Sequence, residues 1–243
     1  MKRTLSVNGF DTEVFFRDRA VEEILRPLLR CLTQKYEEEG RRQIAFMAGP
    51  PAAGKSTLAL FLQELSREEG FAPVQALGMD GFHYPNAYLD THTVKRGEEE
   101  ILLRRIKGSP ETYNTPDMEA VLHRIRSDFL SGKPCGVRWP SYDRNLHDVV
   151  PDTYPITGVV LLIEGNYLLL EEPVWEQLRS FADMTIMLCA HEEDLRERLI
   201  SRKVRGGMER GAAALWYENT DRANIQMVLN GSVKADFEIP LIL

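Results

Sequence analysis

Short apolar runs alternate with amphipathic segments along most of the chain. The runs at 43–48, 73–78, 158–163 and 183–188, with a weaker one at 236–239, predict strands. Helical spacing of apolar residues predicts helices near 55–69, 116–131, 172–180, 191–204 and 209–229. Strands that are apolar throughout are typical of parallel sheets buried on both faces. The pattern therefore predicts an α/β fold of three layers, α/β/α, with a mainly parallel sheet.

A different pattern precedes the first of these strands. Apolar residues at 5–7 and 14–16 flank Asn8-Gly9, a pair that favours the tight turn of a hairpin. No repeat or Ser/Gly linker separates this region from the rest of the chain. We therefore expect residues 1–40 to pack as a hairpin and helix on a main domain of residues 41–243.

The helix of this N-terminal region is predicted from apolar residues at helical spacing between 21 and 32. Asp18 is the expected N-cap and Gly40 the expected stop. Pro27 is expected to kink or divide the helix, because a proline ring clashes with the preceding turn. A second helix is expected to begin with Thr115 as N-cap and Pro116 in its first turn, and to end at Gly132.

Composition and charge exclude several classes of protein for this chain. The 243 residues are 43% hydrophobic and 28% charged, which is typical of one large globular domain. The net charge of −7 argues against a general nucleic-acid-binding surface. No apolar run approaches the roughly 20 residues that span a bilayer, and no secretory leader is evident, so we expect no membrane partner and a cytoplasmic location. Three widely spaced cysteines indicate neither a disulfide framework nor a zinc site.

A phosphate-binding loop follows the first strand of the main domain. The chain matches the pattern G-x-x-x-x-G-K-[ST] at every position, and the helix after it continues with Thr57: Gly49, Pro50, Pro51, Ala52, Ala53, Gly54, Lys55, Ser56. In such a loop backbone N–H groups surround the phosphates, the lysine offsets their charge and the hydroxyl of Ser56 binds Mg²⁺. A chance match is the alternative, but the strand–loop–helix setting favours a P-loop NTPase fold that binds a nucleoside triphosphate.

Missing motifs restrict what is done with the nucleotide. A GTPase carries an Asn-Lys-x-Asp base reader, and Val233-Lys234-Ala235-Asp236 lacks the leading Asn. Ser131-Gly132-Lys133-Pro134 does not match a transporter motif, and no helicase motifs are present. Of the common functions of nucleotide-binding P-loop proteins, phosphoryl transfer to a small molecule is the one that these missing motifs leave.

Two carboxylates follow predicted strands. Asp80 comes after the strand at 73–78, at the edge of an α/β sheet where ligands bind, and could take the proton of an acceptor hydroxyl. Glu164 ends the strand at 158–163, where P-loop enzymes hold Mg²⁺ or its water. The alternatives are that Asp80 is a turn residue before Gly81 and that Glu164 caps a helix.

Basic residues are concentrated between 196 and 210 in this acidic chain. Arg198 and Arg202 are four residues apart and share a helix face, so they could close over the triphosphate with a hinge at Gly206-Gly207. A solvated charged surface is the alternative.

Six ordered sequence blocks together resemble the superfamily of pantothenate kinase, uridine kinase and phosphoribulokinase, most of all the bacterial proteins labelled fructose-transport-system kinase or nucleoside kinase-like. The resemblance runs from about residue 40 to the C-terminus. It rests on the P-loop, Met79-Asp80-Gly81-Phe82-His83-Tyr84-Pro85-Asn86, Lys107-Gly108-Ser109-Pro110-Glu111-Thr112-Tyr113-Asn114, the block at 140–148, the block at 163–170 and the block at 196–203.

The resemblance implies a kinase that transfers phosphate from ATP, with Mg²⁺, to an alcohol. Asp80 is then the catalytic base, and the lid arginine falls on Arg202 or Arg198. The resemblance also places Tyr142, Arg144 and His147 at the acceptor pocket and Asn224 near the nucleotide base. Arg144 stands where pantothenate kinases have a histidine. By resemblance alone, a homodimer is possible.

The residues themselves suggest a pocket of aromatic rings, hydroxyls and one guanidinium, which suits a polyhydroxyl acceptor, with a carboxylate or phosphate as a partner for Arg144. Packing is an equal alternative for each isolated aromatic or histidine. The candidates are His83, Tyr84, Tyr113, Trp139, Tyr142, Arg144, His147 and Asn166. The expected function is therefore a small-molecule kinase acting on a sugar, nucleoside or pantothenate-like acceptor. The other class is an ATP-binding, metabolite-sensing regulator, or an ATPase without an acceptor.

Overall fold

A β-hairpin forms the N-terminal region of the computed structural model, which describes residues 1–7, 9–130 and 135–240. Strands β1 (Lys2–Val7) and β2 (Phe10–Phe15) pair antiparallel, as the apolar pattern predicts. Asn8, one of the two predicted turn residues, lies outside the described residues, and Gly9 has a φ of +83°. Glycine adopts that conformation without the strain that a side chain would cause.

The helix after the hairpin has three consecutive parts: α1 (Asp18–Ala20), a π-helical turn (Val21–Leu25) and α2 (Arg26–Glu39). The prediction that Asp18 is the N-cap is wrong by one residue, because Arg17 holds that position. Pro27 does not divide the helix. It lies directly after the wider π-helical turn, whose Arg26 N–H bonds to Val21 O, five residues back, and it stands in the first turn of α2. The helix ends at Gly40, whose φ is +60°, as predicted.

Strands and helices alternate after Gly40. The elements are β3 (Gln43–Ala48), α3 (Lys55–Glu68), β4 (Val74–Gly78), α4 (Asn86–Leu89), β5 (Thr93–Arg96), β6 (Glu99–Leu102), α5 (Thr115–Leu130), β7 (Arg138–Asp143), β8 (Asp148–Pro155), β9 (Val160–Gly165), α6 (Pro173–Arg179), β10 (Met184–Cys189), α7 (Glu192–Arg205), α8 (Arg210–Trp216), α9 (Arg222–Gly231) and β11 (Phe237–Pro240). Short 3₁₀ turns occur at Met79–Phe82, Leu103–Ile106 and Pro110–Thr112, and a π-helical turn at Tyr217–Asp221 joins α8 to α9.

Five strands form a parallel sheet in the order β11-β10-β3-β9-β4. The chain leaves β3 towards β4 at one edge and later returns over β3 to reach β10. The loop after β3 therefore lies where the direction of winding reverses, which is where open α/β sheets bind ligands. The five strands are the ones that the apolar runs predict.

Alternate residues of the central strand β3 enter two cores on opposite faces of the sheet. Ala45 and Met47 pack with α2, α3 and α7. Ile44, Phe46 and Ala48 pack with α5 and α6. A strand buried on both sides explains why its sequence is apolar throughout. The three-layer α/β/α prediction is confirmed.

The N-terminal hairpin contributes to the first of these cores. Leu5 and Phe16 are fully buried there, and the Phe16 ring stacks on Phe61 of α3 with centroids 4.0 Å apart. The hairpin therefore packs on α3, one of the helices that cover this face of the sheet. Within the described ranges, no helix combines the length and apolar character needed to cross a bilayer.

The start of α5 differs by one residue from the prediction. Thr115 is the first helical residue rather than the N-cap, and the Asn114 side-chain oxygen accepts the N–H of Asp117 at 3.3 Å. Asn114 thus satisfies a backbone donor that the helix leaves unpaired. Gly132, the predicted end of this helix, lies outside the described residues.

Candidate active site at the carboxyl edge of the sheet

The loop between β3 and α3 forms a backbone cradle. Ala52 and Gly54 have φ values of +65° and +90°, and the loop curls so that α3 begins at Lys55. At Gly49 an added Cβ would lie 3.0 Å from Leu188 Cβ and O on β10, so the loop runs close against that strand. Successive N–H groups ahead of a helix N-terminus make a site for an anion.

Lys55 lies inside this cradle and is buried. Its Nζ donates to Gly49 O at 2.9 Å, Pro50 O at 3.0 Å and Asn166 Oδ1 at 2.7 Å. All three partners are neutral, and within the described residues no carboxylate lies in ion-pair distance of Nζ. A buried ammonium without a counter-ion is the group that a phosphate would neutralise.

The electrostatics of Lys55 show which charges face the same crevice. Burial lowers the pKa of Lys55, and the positive charge of Arg202 adds to this shift. Glu164 and Asp80 oppose it. Two carboxylates and two cations therefore act on one another at the carboxyl edge of the sheet.

Ser56 and Glu164 form the oxygen pair expected of a Mg²⁺ site. Glu164 lies on β9, next to Met47 of β3 and Gly78 of β4, and its Oε1 accepts the Ser56 hydroxyl at 2.7 Å. Burial raises the pKa of Glu164, partly offset by Lys55. A hydroxyl and a carboxylate are hard oxygen ligands that fit Mg²⁺, whose remaining positions are usually filled by phosphate and water.

Asp80 lies in the 3₁₀ turn directly after β4. Its Oδ1 accepts the hydroxyl of Tyr113 at 3.1 Å, and its Oδ2 accepts Arg144 Nη2 at 3.0 Å. At Gly81 an added Cβ would lie 2.3 Å from Pro140 O on β7. The missing side chain thus lets the turn approach the β7–β8 hairpin that carries Arg144.

The carboxylate of Asp80 is held in its ionised form. The Asp80 side chain is 40% exposed, yet it lies deep enough in the crevice for desolvation to be the largest influence on its pKa, and that influence is upward. His83, Arg144 and the Tyr113 hydrogen bond outweigh it and hold the pKa of Asp80 below its usual value. Burial and Asp80 raise the pKa of Tyr113, so that phenol stays protonated and donates. Asp80 can therefore accept a proton.

Aromatic rings line one side of Asp80. His83 packs on Tyr113 with centroids 3.8 Å apart and lies 5.6 Å from the Tyr142 ring. Burial lowers the pKa of His83, which favours the neutral imidazole. Lys107 Nζ and Arg144 Cζ lie 4.8 and 5.2 Å from the Tyr142 ring centroid. The structure thus brings together the predicted residues His83, Tyr113, Tyr142 and Arg144 beside Asp80.

Other predicted acceptor residues have different surroundings. Tyr84 stacks on Tyr88 at 4.2 Å, and Trp139 is buried and donates to Gly78 O at 2.8 Å. His147 is exposed in the β7–β8 turn with a φ of +51°. Asn166 contacts Lys55 and thus belongs to the cradle.

The predicted lid helix is α7, which ends at Gly206-Gly207 with a φ of +94° at Gly207. Arg202 is exposed and Arg198 half-buried, and the charge of Arg202 is the one that reaches Lys55. Two other arginines of the basic run pair away from the crevice: Arg196 with Glu218 and Arg210 with Glu197. Asn224 lies half-buried on α9.

Lys107 is not among the site residues that the sequence predicts, although it begins one of the six sequence blocks. Its Nζ donates to Asn86 Oδ1 at 2.7 Å and His147 O at 2.8 Å. These two bonds join the two insertions that the sequence predicts to carry the acceptor site, at about 81–114 and 133–157. One signal was available: it is a lysine that directly precedes the Gly-Ser-Pro of that block.

No family model matches the sequence. The uncharacterized protein YggC of Escherichia coli (strain K12) is 36% identical over 243 residues, which cover 99% of this chain and 96% of that protein. This chain and YggC are therefore relatives over nearly their whole lengths.

Two further proteins are similar over most of this chain. The pantothenate kinase of Actinobacillus succinogenes is 32% identical over 202 residues, which cover 75% of this chain but only 59% of that kinase. The solved structure of a candidate fructose transport system kinase from Silicibacter sp. TM1040 has 29% identity and a TM-score of 0.72, covering 87% of this chain and 98% of that one. This chain thus shares its fold with that solved structure.

Proposed function

The chain belongs to the superfamily of P-loop kinases that includes pantothenate kinases, uridine kinases and phosphoribulokinases, and from that premise we propose that it transfers the γ-phosphoryl group of ATP to a hydroxyl of a small metabolite. The observation that carries the proposal is the placement of Lys55 and Asp80. A buried ammonium with only neutral partners and an ionised carboxylate face one crevice. The acceptor is a sugar, a nucleoside or a pantothenate-like compound, and the reaction takes place in the cytoplasm.

The cradle residues bind and orient the triphosphate. Backbone N–H groups of the loop from Gly49 to Gly54 and the N-terminus of α3 face the phosphates, and Lys55 neutralises their charge. Thr57 follows in the first turn of α3, and Asn224 on α9 is proposed to lie towards the base. Positioning and charge neutralisation are the main contributions that a protein makes to this kind of transfer.

Ser56 and Glu164 would hold Mg²⁺. The Ser56 hydroxyl donates a hydrogen bond to Glu164 Oε1 at 2.7 Å, so the two oxygens are close enough to bind one ion. Bound Mg²⁺ would offset the negative charge of the phosphate oxygens during the transfer. It would also relieve the unfavourable burial of the Glu164 carboxylate, because that burial raises its pKa.

Asp80 is proposed as the base of the reaction. The acceptor hydroxyl gives its proton to the Asp80 carboxylate while its oxygen bonds to the γ-phosphorus. The bond from that phosphorus to the bridging oxygen breaks, and the electron pair leaves with ADP. Arg202, or Arg198 in its place, closes from α7 and offsets charge on the transferred group. His83, Tyr84, Tyr113, Tyr142, Arg144, His147 and Asn166 are the proposed acceptor-side residues.

A panel of hydroxyl compounds, scored by ADP release from ATP and by the mass of the product, tests the proposal. We expect at least one compound to gain phosphate, and Asp80→Asn to lower turnover by about 10²–10⁴-fold while ATP binding stays normal. Asp11→Asn, at an exposed aspartate on β2, is the matched control. ADP release without any acceptor would indicate an ATPase, and ATP binding without turnover would indicate a regulator.

A further inference from the structure

A pocket of about 280 Å³ lies at the amino edge of the sheet, away from the crevice of Lys55 and Asp80. Its wall combines three arginines with an aromatic ring, a hydroxyl and a carboxylate: Arg41, Arg42, Arg126, Phe129, Ser180 and Asp183. The first two arginines directly precede β3, and the carboxylate directly precedes β10. The six residues of β3 span about 20 Å, so the strand separates this amino-edge pocket from the phosphate-binding loop by roughly that distance.

Asp183 supplies the carboxylate of the wall, and its side chain is only 8% exposed. Its Oδ1 accepts Arg41 Nη2 at 2.6 Å. Its Oδ2 accepts Arg126 Nη2 at 2.5 Å and the N–H of Ile44 at 2.7 Å. Both oxygens of Asp183 therefore hold α5 and the start of β3 against β10.

Arg42 is bound differently from the other two arginines. Its Nε donates to Gly158 O at 2.9 Å, and its Cζ lies 5.3 Å from the centroid of the Phe129 ring. Among the residues that the structure describes, no carboxylate lies within ion-pair distance of Arg42, and its two Nη groups have no hydrogen-bond partner. Asp128, next to Phe129 on α5, accepts the N–H of Gly136 at 3.2 Å. Arg42 thus presents a half-buried pair of charged donors.

The charged side chains in contact around the pocket leave an excess of positive charge. Lys35 donates to Asp183 O at 3.1 Å and lies 4.0 Å from Glu39, which also pairs with Arg41 at 2.6 Å. Together with the three arginines, Lys35 makes four cations that share two carboxylates, Glu39 and Asp183. This local excess occurs in a chain whose net charge is −7.

We propose that the amino-edge pocket binds the phosphate group of a small metabolite, with the two Nη groups of Arg42 as its main donors. Guanidinium groups bind phosphate with two parallel hydrogen bonds, and the two negative charges of a phosphate ester match the local excess of positive charge. Ligand pockets usually measure about 300–1,000 Å³, so this one suits a metabolite of a few carbons. The ligand is then an effector rather than the acceptor, because the pocket lies at the opposite edge of the sheet. The inference does not depend on the proposed kinase function.

Calorimetry with inorganic phosphate at low ionic strength tests the inference. The whole chain is used as Lys55→Ala, so that the phosphate-binding loop contributes little to binding of the probe. We expect a Kd of about 1 mM or tighter for phosphate, and at least about tenfold weaker binding of acetate, a planar monoanion. Adding Arg42→Gln should weaken phosphate binding by about 10- to 100-fold. Adding Arg138→Gln, where the arginine also bonds to backbone oxygens, should leave it unchanged.

A stability measurement separates loss of the site from loss of the fold. Arg42→Gln gives up one hydrogen bond to the rest of the chain, so its thermal unfolding should stay close to that of the parent. Arg42→Lys keeps the charge without the paired donors and should keep part of the affinity. If Lys55→Ala does not fold, the parent saturated with ADP takes its place, since ADP then occupies the loop.

The result does not depend on whether any acceptor gains phosphate in the kinase assay. Phosphate binding that Arg42→Gln abolishes in a folded protein would support the site. Absence of phosphate binding, or the same affinity with and without Arg42→Gln, would overturn the inference. Equal affinity for acetate and phosphate would reject phosphate as the group that the pocket recognises.

Discussion

Arg144 Nη2 lies 3.0 Å from Asp80 Oδ2, which joins the β7–β8 hairpin to the end of β4 across 64 positions of sequence. Both side chains are 40% exposed, so solvent weakens the pair. The main consequence is therefore for the protonation of Asp80 rather than for stability. Desolvation favours the neutral acid, whereas the permanent charge of Arg144 and the hydrogen bond from Tyr113 lower the pKa of Asp80.

The first prediction concerns the pH dependence of activity in Arg144→Leu. A base must be ionised, so kcat/KM falls as the pH drops through the pKa of Asp80 in the free enzyme. Arg144 lowers that pKa, and its removal raises it. The acid limb of the kcat/KM profile should therefore move to higher pH.

The midpoint of the profile is the quantity to compare, because we expect Arg144→Leu to weaken acceptor binding as well. Arg138→Leu, in the same β7–β8 hairpin but with its arginine bonded to backbone oxygens of Asp152 and Thr153, should leave the midpoint in place. An unmoved acid limb in Arg144→Leu would mean that another group controls the titration.

The second prediction concerns the close approach at Gly81. In Gly81→Ala the new Cβ would meet Pro140 O at 2.3 Å and Ser141 N at 3.0 Å, both of them backbone atoms that cannot rotate away. We expect the free energy of unfolding to fall by about 1–3 kcal/mol. Activity should fall as well, because the turn that carries Asp80 must move away from Arg144.

Gly136→Ala is the control for this substitution. No atom lies within 4 Å of a Cβ built there, and its φ is negative or extended, so alanine fits. Thermal unfolding and turnover of the two variants can be measured side by side. Equal stabilities would show that β7 adjusts without cost.

How far the sequence predicts this molecule depends on the kind of signal. The strand from 43 to 48 is recognisable because it is buried on both faces and apolar throughout. The places of Lys55 and Asp80 follow from general rules on strand ends, and these rules need no knowledge of strand order. Pro27 shows the limit of local rules, since the π-helical turn that accommodates it depends on a shift in backbone hydrogen bonding that composition does not reveal.

The acceptor side was less predictable. Lys107, Tyr142 and Arg144 meet because two insertions fold over each other. Those insertions have neither helical nor strand periodicity, and their contacts join residues 35 or more positions apart. Motif spacing gives candidates there, but it does not show that Tyr84 packs on Tyr88 instead.

The third prediction concerns Lys55. Lys55→Ala removes the buried charge whose three contacts are all to neutral oxygens. Loss of a charge-assisted contact to phosphate should weaken ATP binding by about 10- to 100-fold in calorimetry. Lys2→Ala, at an exposed lysine paired with Glu13, should bind ATP normally. Unchanged affinity in Lys55→Ala would contradict the cradle assignment.

The fourth prediction concerns Mg²⁺. Glu164→Gln keeps the shape of the side chain but removes the charge beside Ser56. The Mg²⁺ concentration for half-maximal activity should rise by about 10- to 100-fold. Glu176→Gln, at an exposed glutamate on α6, should leave it unchanged. An unaltered Mg²⁺ requirement in Glu164→Gln would place the metal elsewhere.

The last prediction distinguishes the two lid candidates on α7. Arg202 is exposed, and its charge acts on Lys55, so it is the arginine that we propose to close on the transferred phosphate. Arg202→Ala should lower kcat by about 10²–10³-fold, as loss of a transition-state contact does. The KM for ATP should change much less, because the contact forms only during transfer.

Two further variants complete this test. Arg210→Ala, where the arginine pairs with Glu197 outside the crevice, should keep the parent kcat. Arg198→Ala should cost less than Arg202→Ala, since the charge of Arg202 is the one that reaches the cradle lysine. A large loss in Arg198→Ala with a normal Arg202→Ala would transfer the lid role to Arg198. Normal kcat in both would show that α7 does not contribute charge to the transfer.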